Sequence, residues 1–151
     1  MVAETTSRVA DNTPEHVNAW IRCCTEQSVH HLAENPDLIS MRLRQLDREW
    51  NVERALEANA ASFALFGLVL GLRKRGWLGL PIGVAGFLLQ HAVEGWCPPL
   101  SVLRRLGFRT SREIEEERGA LKALRGDFAV LPADAPAAER ARRALEAARA
   151  R

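Results

Sequence analysis

Polar and apolar positions alternate along this chain in two regimes. From Val17 to Leu32 the sequence is polar, with Val17, Ile21, Cys24, Ser28 and Leu32 returning at helical spacing to one weakly apolar face. A second helix is predicted from "NPD", where Asn35 is a candidate cap and Pro36 a first helical residue. It carries Ile39, Leu43, Leu46 and Trp50 on one side, with Arg42, Arg44, Asp47 and Glu49 elsewhere. No Pro or Gly falls between 37 and 66, so the pattern predicts that this helix runs on into the apolar region. There the regime changes. Ala58–Leu72 carries no charge and Trp77–Val93 carries none, while Arg73, Lys74 and Arg75 stand between them.

Beyond the second run, "GWCPP" ends the helix, because Pro98 and Pro99 cannot continue it. Leu100, Leu103 and Leu106 then fall on one side of a short helix, with Arg104 and Arg105 expected opposite, a pattern suited to a membrane interface. Thr110 and Glu113 form a capping box for a last long helix that stops near Gly126. The resulting organisation is a disordered segment 1–12, a helical segment 13–57, a hairpin 58–96 (arms 58–72 and 77–93, turn 73–76), two helices within 97–128, and a linker with a basic tail over 129–151. The fold class is all-α.

Solvent is the question that the two apolar runs raise. Each gains a few kcal/mol on an insertion scale of about −0.3 to −0.6 kcal/mol per large apolar residue, and one central Arg would cancel most of it at about 2.5 to 3.5 kcal/mol. At 1.5 Å per residue the arms span roughly 22 and 25 Å, short of a hydrocarbon core of about 30 Å. Local thinning or oligomerisation can absorb the difference. Trp77 and Trp96 bracket the second arm as interfacial aromatics do. Ala60, Ala64, Gly67 and Gly71 form a small-residue stripe on the first arm, and Gly79 and Gly83 a second on the other, the spacing by which helices approach closely in lipid. The reading is a transmembrane two-helix hairpin flanked by cytoplasmic amphipathic helices; the competing reading is a soluble helical hairpin. Arg42, Arg44, Arg48, Arg54, Arg104, Arg105, Arg109 and Arg112 flank the hairpin against three cations in its turn, which places both termini in the cytoplasm.

Composition adds little to this. A net charge of +2 over 151 residues gives no footprint for nucleic acid. The excess of Arg over Lys and the abundance of Ala match a GC-rich genome. Cys23, Cys24 and Cys97 build no disulfide framework, and the N-terminus has no apolar signal region.

"NVER" at 51–54 entering an apolar helix, a short turn, a glycine-rich second helix and "GWCPP" at its end resemble the YgaP-like transmembrane-hairpin family of bacterial inner membranes, a family of unknown function. "GFRTSREIEEERGALKALRGDF" is similar to the cytoplasmic extension of its stand-alone members. The resemblance covers about residues 50–108 and implies an inner-membrane, two-helix protein with cytoplasmic termini, able to dimerise through the hairpin. One branch carries a rhodanese domain; this chain has none and no cysteine loop to hold a persulfide, so sulfurtransferase chemistry is not implied.

Candidate chemistry is sparse. Cys97 is the one candidate reactive thiol, at a helix C-terminus whose dipole opposes a thiolate. Gln90 and His91 are polar positions near the end of the second arm, candidate ligand groups. The face Ile39, Leu43, Leu46, Trp50 is the candidate docking surface for a cytoplasmic protein partner. No metal set, nucleotide loop or catalytic triad is present, and no cofactor is expected. The expected function is non-enzymatic: an oligomeric scaffold or anchor in the lipid bilayer. The alternatives are a sulfur-relay or redox protein using Cys97, a small-solute conduit built from several copies, and a soluble interaction module.

Overall fold

The computed structural model describes residues 7–129 and 136–149. All regular structure among them is helical. The helices are α1 (Arg8–Asp11), α2 (Glu15–Glu34), α3 (Ile39–Leu46), α4 (Val52–Gly71), α5 (Gly79–Glu94), α6 (Pro98–Arg105), α7 (Ser111–Arg125) and α8 (Ala137–Arg149), with single 3₁₀ turns at Pro36–Leu38 and Arg75–Leu78. They form two compact units, Met1–Arg22 with Trp50–Arg112 and Cys23–Glu49 with Glu113–Arg151.

The first unit holds the hairpin. Asn51 opens α4: its backbone is extended and its side-chain Oδ1 accepts the Arg54 backbone N–H at 2.8 Å. Such a cap contributes about 1 kcal/mol. The same side chain donates to Ser111 Oγ at 2.7 Å, and the Val52 N–H donates to the Arg109 carbonyl at 2.8 Å. Here the structure corrects the expected continuous helix: α3 ends at Leu46 and a new helix begins at Val52. The arms α4 and α5 pack against each other where glycine permits it. A Cβ on Gly67 would lie 2.6 Å from Pro81 Cδ, and one on Gly71 would lie 2.5 Å from Leu78 Cδ2. Ala60 is buried and Ala64 half-buried on the same stripe. Gly79 and Gly83 behave otherwise: nothing lies within 4 Å of a Cβ on either, so that stripe faces away from α4 rather than into it.

The core of this unit is Val9, Val52, Ala55, Leu56, Cys97, Leu100 and Leu103, with Leu88 and Phe108 packed on it. It gathers α1, the start of α4 and α6, with Leu88 of α5 laid against it. Between residues 61 and 90 only Gly67 and Gly71 are buried. Arg104 was expected on a polar outer face, yet it is 0% exposed. It donates to Thr13 Oγ1 at 3.2 Å, Asn18 Oδ1 at 2.9 Å and the Phe108 carbonyl at 3.1 Å. Thr13 therefore serves the buried guanidinium and the Val9 carbonyl, to which its hydroxyl donates at 2.6 Å. Arg105 is exposed, as expected. Residues 8–11 of the segment expected to be disordered are helical.

The second unit buries Leu32, Ile39, Leu43, Leu46, Ile114 and Leu121. Beneath them the Glu117 carboxylate, 0% exposed, accepts from Arg42 Nε at 2.8 Å, Arg42 Nη2 at 3.0 Å and Ser28 Oγ at 2.8 Å. Arg118 bridges to Asp47 at 2.6 Å and Glu115 at 3.0 Å. The tail is helical over 137–149, and Lys122 Nζ donates to its Ala148 carbonyl at 2.6 Å. The preceding linker lies in part outside the described residues.

After α7, Arg125 grips Asp127 through Nε–Oδ1 at 2.8 Å and Nη2–Oδ2 at 2.6 Å. The guanidinium hydrogen bonds hold the Asp127 carboxyl below the usual carboxylate range. A group depressed in the folded state adds stability above its unfolded pKa, and that stability is lost as pH falls through the folded value. Asp127→Asn is therefore expected to cost about 1 kcal/mol at neutral pH. The difference from the parent should shrink as pH drops below 3.8, the ordinary Asp value. Thermal melts of both proteins across that range test it; a gap independent of pH would remove the pair from the account.

Candidate functional site

The hairpin unit contains an apolar cavity of about 520 Å³. Its walls follow from helical spacing. Leu56, Asn59, Ala60 and Phe63 fall on one stripe of α4, at steps of three, one and three. Val84, Phe87 and Leu88 do the same on α5, and Pro99, Val102 and Leu103 on α6, with Leu106 directly after it. Cys97 and Phe108 complete the lining. Ala60 is the smallest side chain of the α4 wall, and Phe63, Phe87 and Leu88 are the bulky residues of the two arms beside it.

Polar side chains in the lining are few, the Asn59 amide and the Cys97 thiol. Asn59 Nδ2 donates to the Ala55 carbonyl at 2.8 Å. Cys97 is 1% exposed. Burial pushes its thiol up, only partly offset by the Leu100 backbone N–H. It stands at the residue before α6, in extended conformation, and packs in the core. The candidate reactive thiol is thus a protonated, enclosed side chain, because a thiolate would lose its hydration there. The lining supplies neither an acid nor a base in reach of a ligand, and what it can do is enclose hydrocarbon.

The end of α5 is tied to α1. Arg8 Nη1 donates to the Ala92 carbonyl at 2.9 Å, and Asn12 Nδ2 to the Glu94 carbonyl at 3.2 Å. Gly95 turns the chain at φ +75°, and a Cβ there would meet Arg8 Cβ at 2.6 Å, so both backbone and space require glycine. Of the two candidate polar positions, Gln90 donates to Glu94 Oε2 at 3.2 Å. His91 is buried, and its Nδ1 is without a hydrogen-bond partner among the described residues, as is Glu53 Oε2. Neither Gln90 nor His91 lines the cavity.

The candidate docking face is not a surface. Ile39, Leu43 and Leu46 are at most 2% exposed and form the core of the second unit with Leu32, Ile114 and Leu121. A helix of the same chain, α7, covers them, so they cannot meet a separate partner. Only Trp50 is exposed, with the Arg54 guanidinium 4.4 Å from its ring centroid. Cys23 and Cys24 are free and exposed. Among the described residues no three His, Cys, Asp or Glu side chains are grouped to hold a metal ion. Sequence reasoning missed the cavity, whose walls come from three helices, and missed Arg104 as an interior group.

No protein-family model, no curated protein and no solved structure matches this chain. Among the described residues one helical stretch, Arg75–Glu94, is long and apolar enough to cross a membrane. The first arm falls short of that, since Glu53, Arg54, Glu57 and Asn59 occupy the early turns of α4.

Proposed function

We propose that this protein is a small, non-enzymatic anchor of the bacterial inner membrane, in which the α4–α5 hairpin enters the bilayer and the second unit is carried on the cytoplasmic side. One observation supports it above the rest. Only 6% of the apolar stretch Arg75–Glu94 is buried by the protein itself. Phe63, Leu65, Phe66, Leu68, Val69 and Leu72 of the first arm are likewise exposed, with Ile82, Leu89 and Val93 of the second. A soluble helical hairpin would turn these residues into its core. A contiguous exposed band of this kind marks a membrane or protein contact. The outward Gly79 and Gly83 stripe favours a homo-oligomer as the way two short arms are accommodated. The likeness to the YgaP-like hairpin family points the same way.

The sulfur-relay alternative loses ground with Cys97 enclosed. The soluble-module alternative loses ground with the apolar band unfilled.

The test uses the free thiols. Cys23 and Cys24, exposed in the second unit, should resist an impermeant maleimide in intact spheroplasts and react after lysis. In a variant lacking both, Lys74→Cys at the hairpin turn should react from outside. Recovery of the protein in the soluble fraction after an alkaline carbonate wash, or a turn cysteine labelled only after lysis, would end the two-span reading.

A further inference from the structure

The cavity of the hairpin unit asks for an occupant. Its volume of about 520 Å³ lies within the range of ligand sites. A helix with its side chains is about 10–12 Å across and would fill such a space in about one turn, so a helical segment is a poor match. The occupant is thinner than a helix. It is also apolar, because Asn59 supplies the one amide, whose Nδ2 donates to the Ala55 carbonyl, and the remaining lining is hydrocarbon and one thiol.

Access to the cavity narrows the choice. Phe63, Phe87, Val102 and Leu106 line it and are exposed, and Phe63 and Phe87 belong to the apolar band of the two arms. A molecule that reaches this opening in a bilayer is a lipid. Charge gives the second criterion. Arg105 is exposed and follows Val102 by three residues on α6, so it flanks the pocket-lining face of that helix. A cation beside an apolar opening is complementary to a phosphate attached to a hydrocarbon chain.

We propose that this cavity holds one acyl chain of a glycerophospholipid whose phosphate is bound at Arg105. The proposal rests on the membrane reading above and deepens it: the hairpin would not be surrounded by lipid alone but would carry one lipid as part of its packing. That lipid would fill the space between α4, α5 and α6 that the side chains leave open.

The experiment takes the full chain, reconstituted in phosphatidylcholine vesicles containing phosphatidylglycerol with a photoreactive diazirine near the end of one acyl chain. After illumination, labelled peptides are mapped by mass spectrometry. Labels should concentrate on α4 near Leu56 and Ala60 and on α6 near Leu103. Ala60→Trp should lower that labelling about tenfold, equivalent to losing the burial of two methylene groups. Since Ala60 is buried, Val102→Trp at the exposed rim is the companion variant, with helix content checked by circular dichroism; where Ala60→Trp misfolds, Val102→Trp decides. Arg105→Gln should reduce the preference for phosphatidylglycerol over phosphatidylcholine about fivefold.

Labels spread evenly over Leu65, Ile82 and Leu89 and indifferent to both tryptophans would overturn the site while leaving the anchor intact. Displacement by a free fatty acid, with Arg105→Gln silent, would overturn the phospholipid assignment. Protection that rises with protein density in the vesicle would assign the cavity to a second copy and overturn it as well. A carbonate wash of the same vesicles separates the two levels: release of the protein overturns both readings, whereas retention with even labelling overturns the cavity alone.

Discussion

Replacing Arg42 with alanine is expected to destabilise the second unit by about 3–5 kcal/mol, the usual consequence of stripping a buried carboxylate of its cation. Glu117 is 0% exposed, and Arg42 meets both of its oxygens at 2.8 and 3.0 Å. Ser28 adds a third donor at 2.8 Å. Without Arg42 the carboxylate keeps its desolvation and loses its bidentate partner. Against a domain stability of about 5–15 kcal/mol this is a large share. The effect should show as lost hydrogen-exchange protection over 39–46 and 114–121, where Ile39, Leu43, Leu46, Ile114 and Leu121 form the core. The pair contributes far less than the damage suggests. An apolar exchange of both partners, Arg42→Met with Glu117→Leu, should return most of the loss, because a buried pair also carries the cost of its own desolvation. An Arg42→Ala protein as protected as the parent would mean that the carboxylate is reached by water.

The same unit shows where sequence reasoning succeeds and where it stops. The spacing of Ile39, Leu43 and Leu46 fixed a helix with one apolar face, and that is what α3 is. It did not say what covers the face. Ile114 and Leu121 lie some seventy residues later, and no period links them to α3. An apolar stripe reads the same whether another helix of the chain or a partner covers it. Arg104 failed for a related reason. It follows Leu103 beside Arg105, in a chain with many arginines, and nothing local distinguishes the buried guanidinium from the exposed one. The distinction comes from Thr13 and Asn18, more than eighty residues earlier. The glycines make the point inside the hairpin. Gly67 and Gly71 share the four-residue spacing of Gly79 and Gly83, yet the first pair meets the opposite arm and the second meets nothing. Spacing identifies a face able to pack closely, while the rotation of the two helices decides which face does. The helix restart at Asn51, by contrast, has a local signal. An Asn whose side chain can accept the N–H three residues on is a start signal even without a neighbouring Pro or Gly. The cavity was illegible altogether, since it depends on how three helices are spaced rather than on any residue's character.

The contrast between a lipid and an aqueous setting is sharpest at Ala85, the midpoint of the run from Trp77 to Val93. Ala85 is exposed. In water, Ala85→Arg would change little, because arginine is a good helix former and nothing packs on this position. In a bilayer the same substitution places a guanidinium near the centre of the hydrocarbon and should cost about 2.5 to 3.5 kcal/mol of insertion free energy, roughly a hundredfold shift of the protein out of the membrane. The first arm is too polar at its start to compensate, with Glu53, Arg54 and Glu57 in its early turns. Carbonate-resistant protein should therefore fall steeply in the Ala85→Arg variant, while Ala85→Leu at the same position should retain or increase it. Snorkelling moderates the penalty near the ends of a span and least at its midpoint, so an equivalent substitution close to the turn, Leu72→Arg, should be much milder. If Ala85→Arg and Leu72→Arg partition alike, and both like the parent, the exposed band does not sit in lipid. The hairpin would then have to be covered by protein, with the outward Gly79 and Gly83 face the first place to look for that cover.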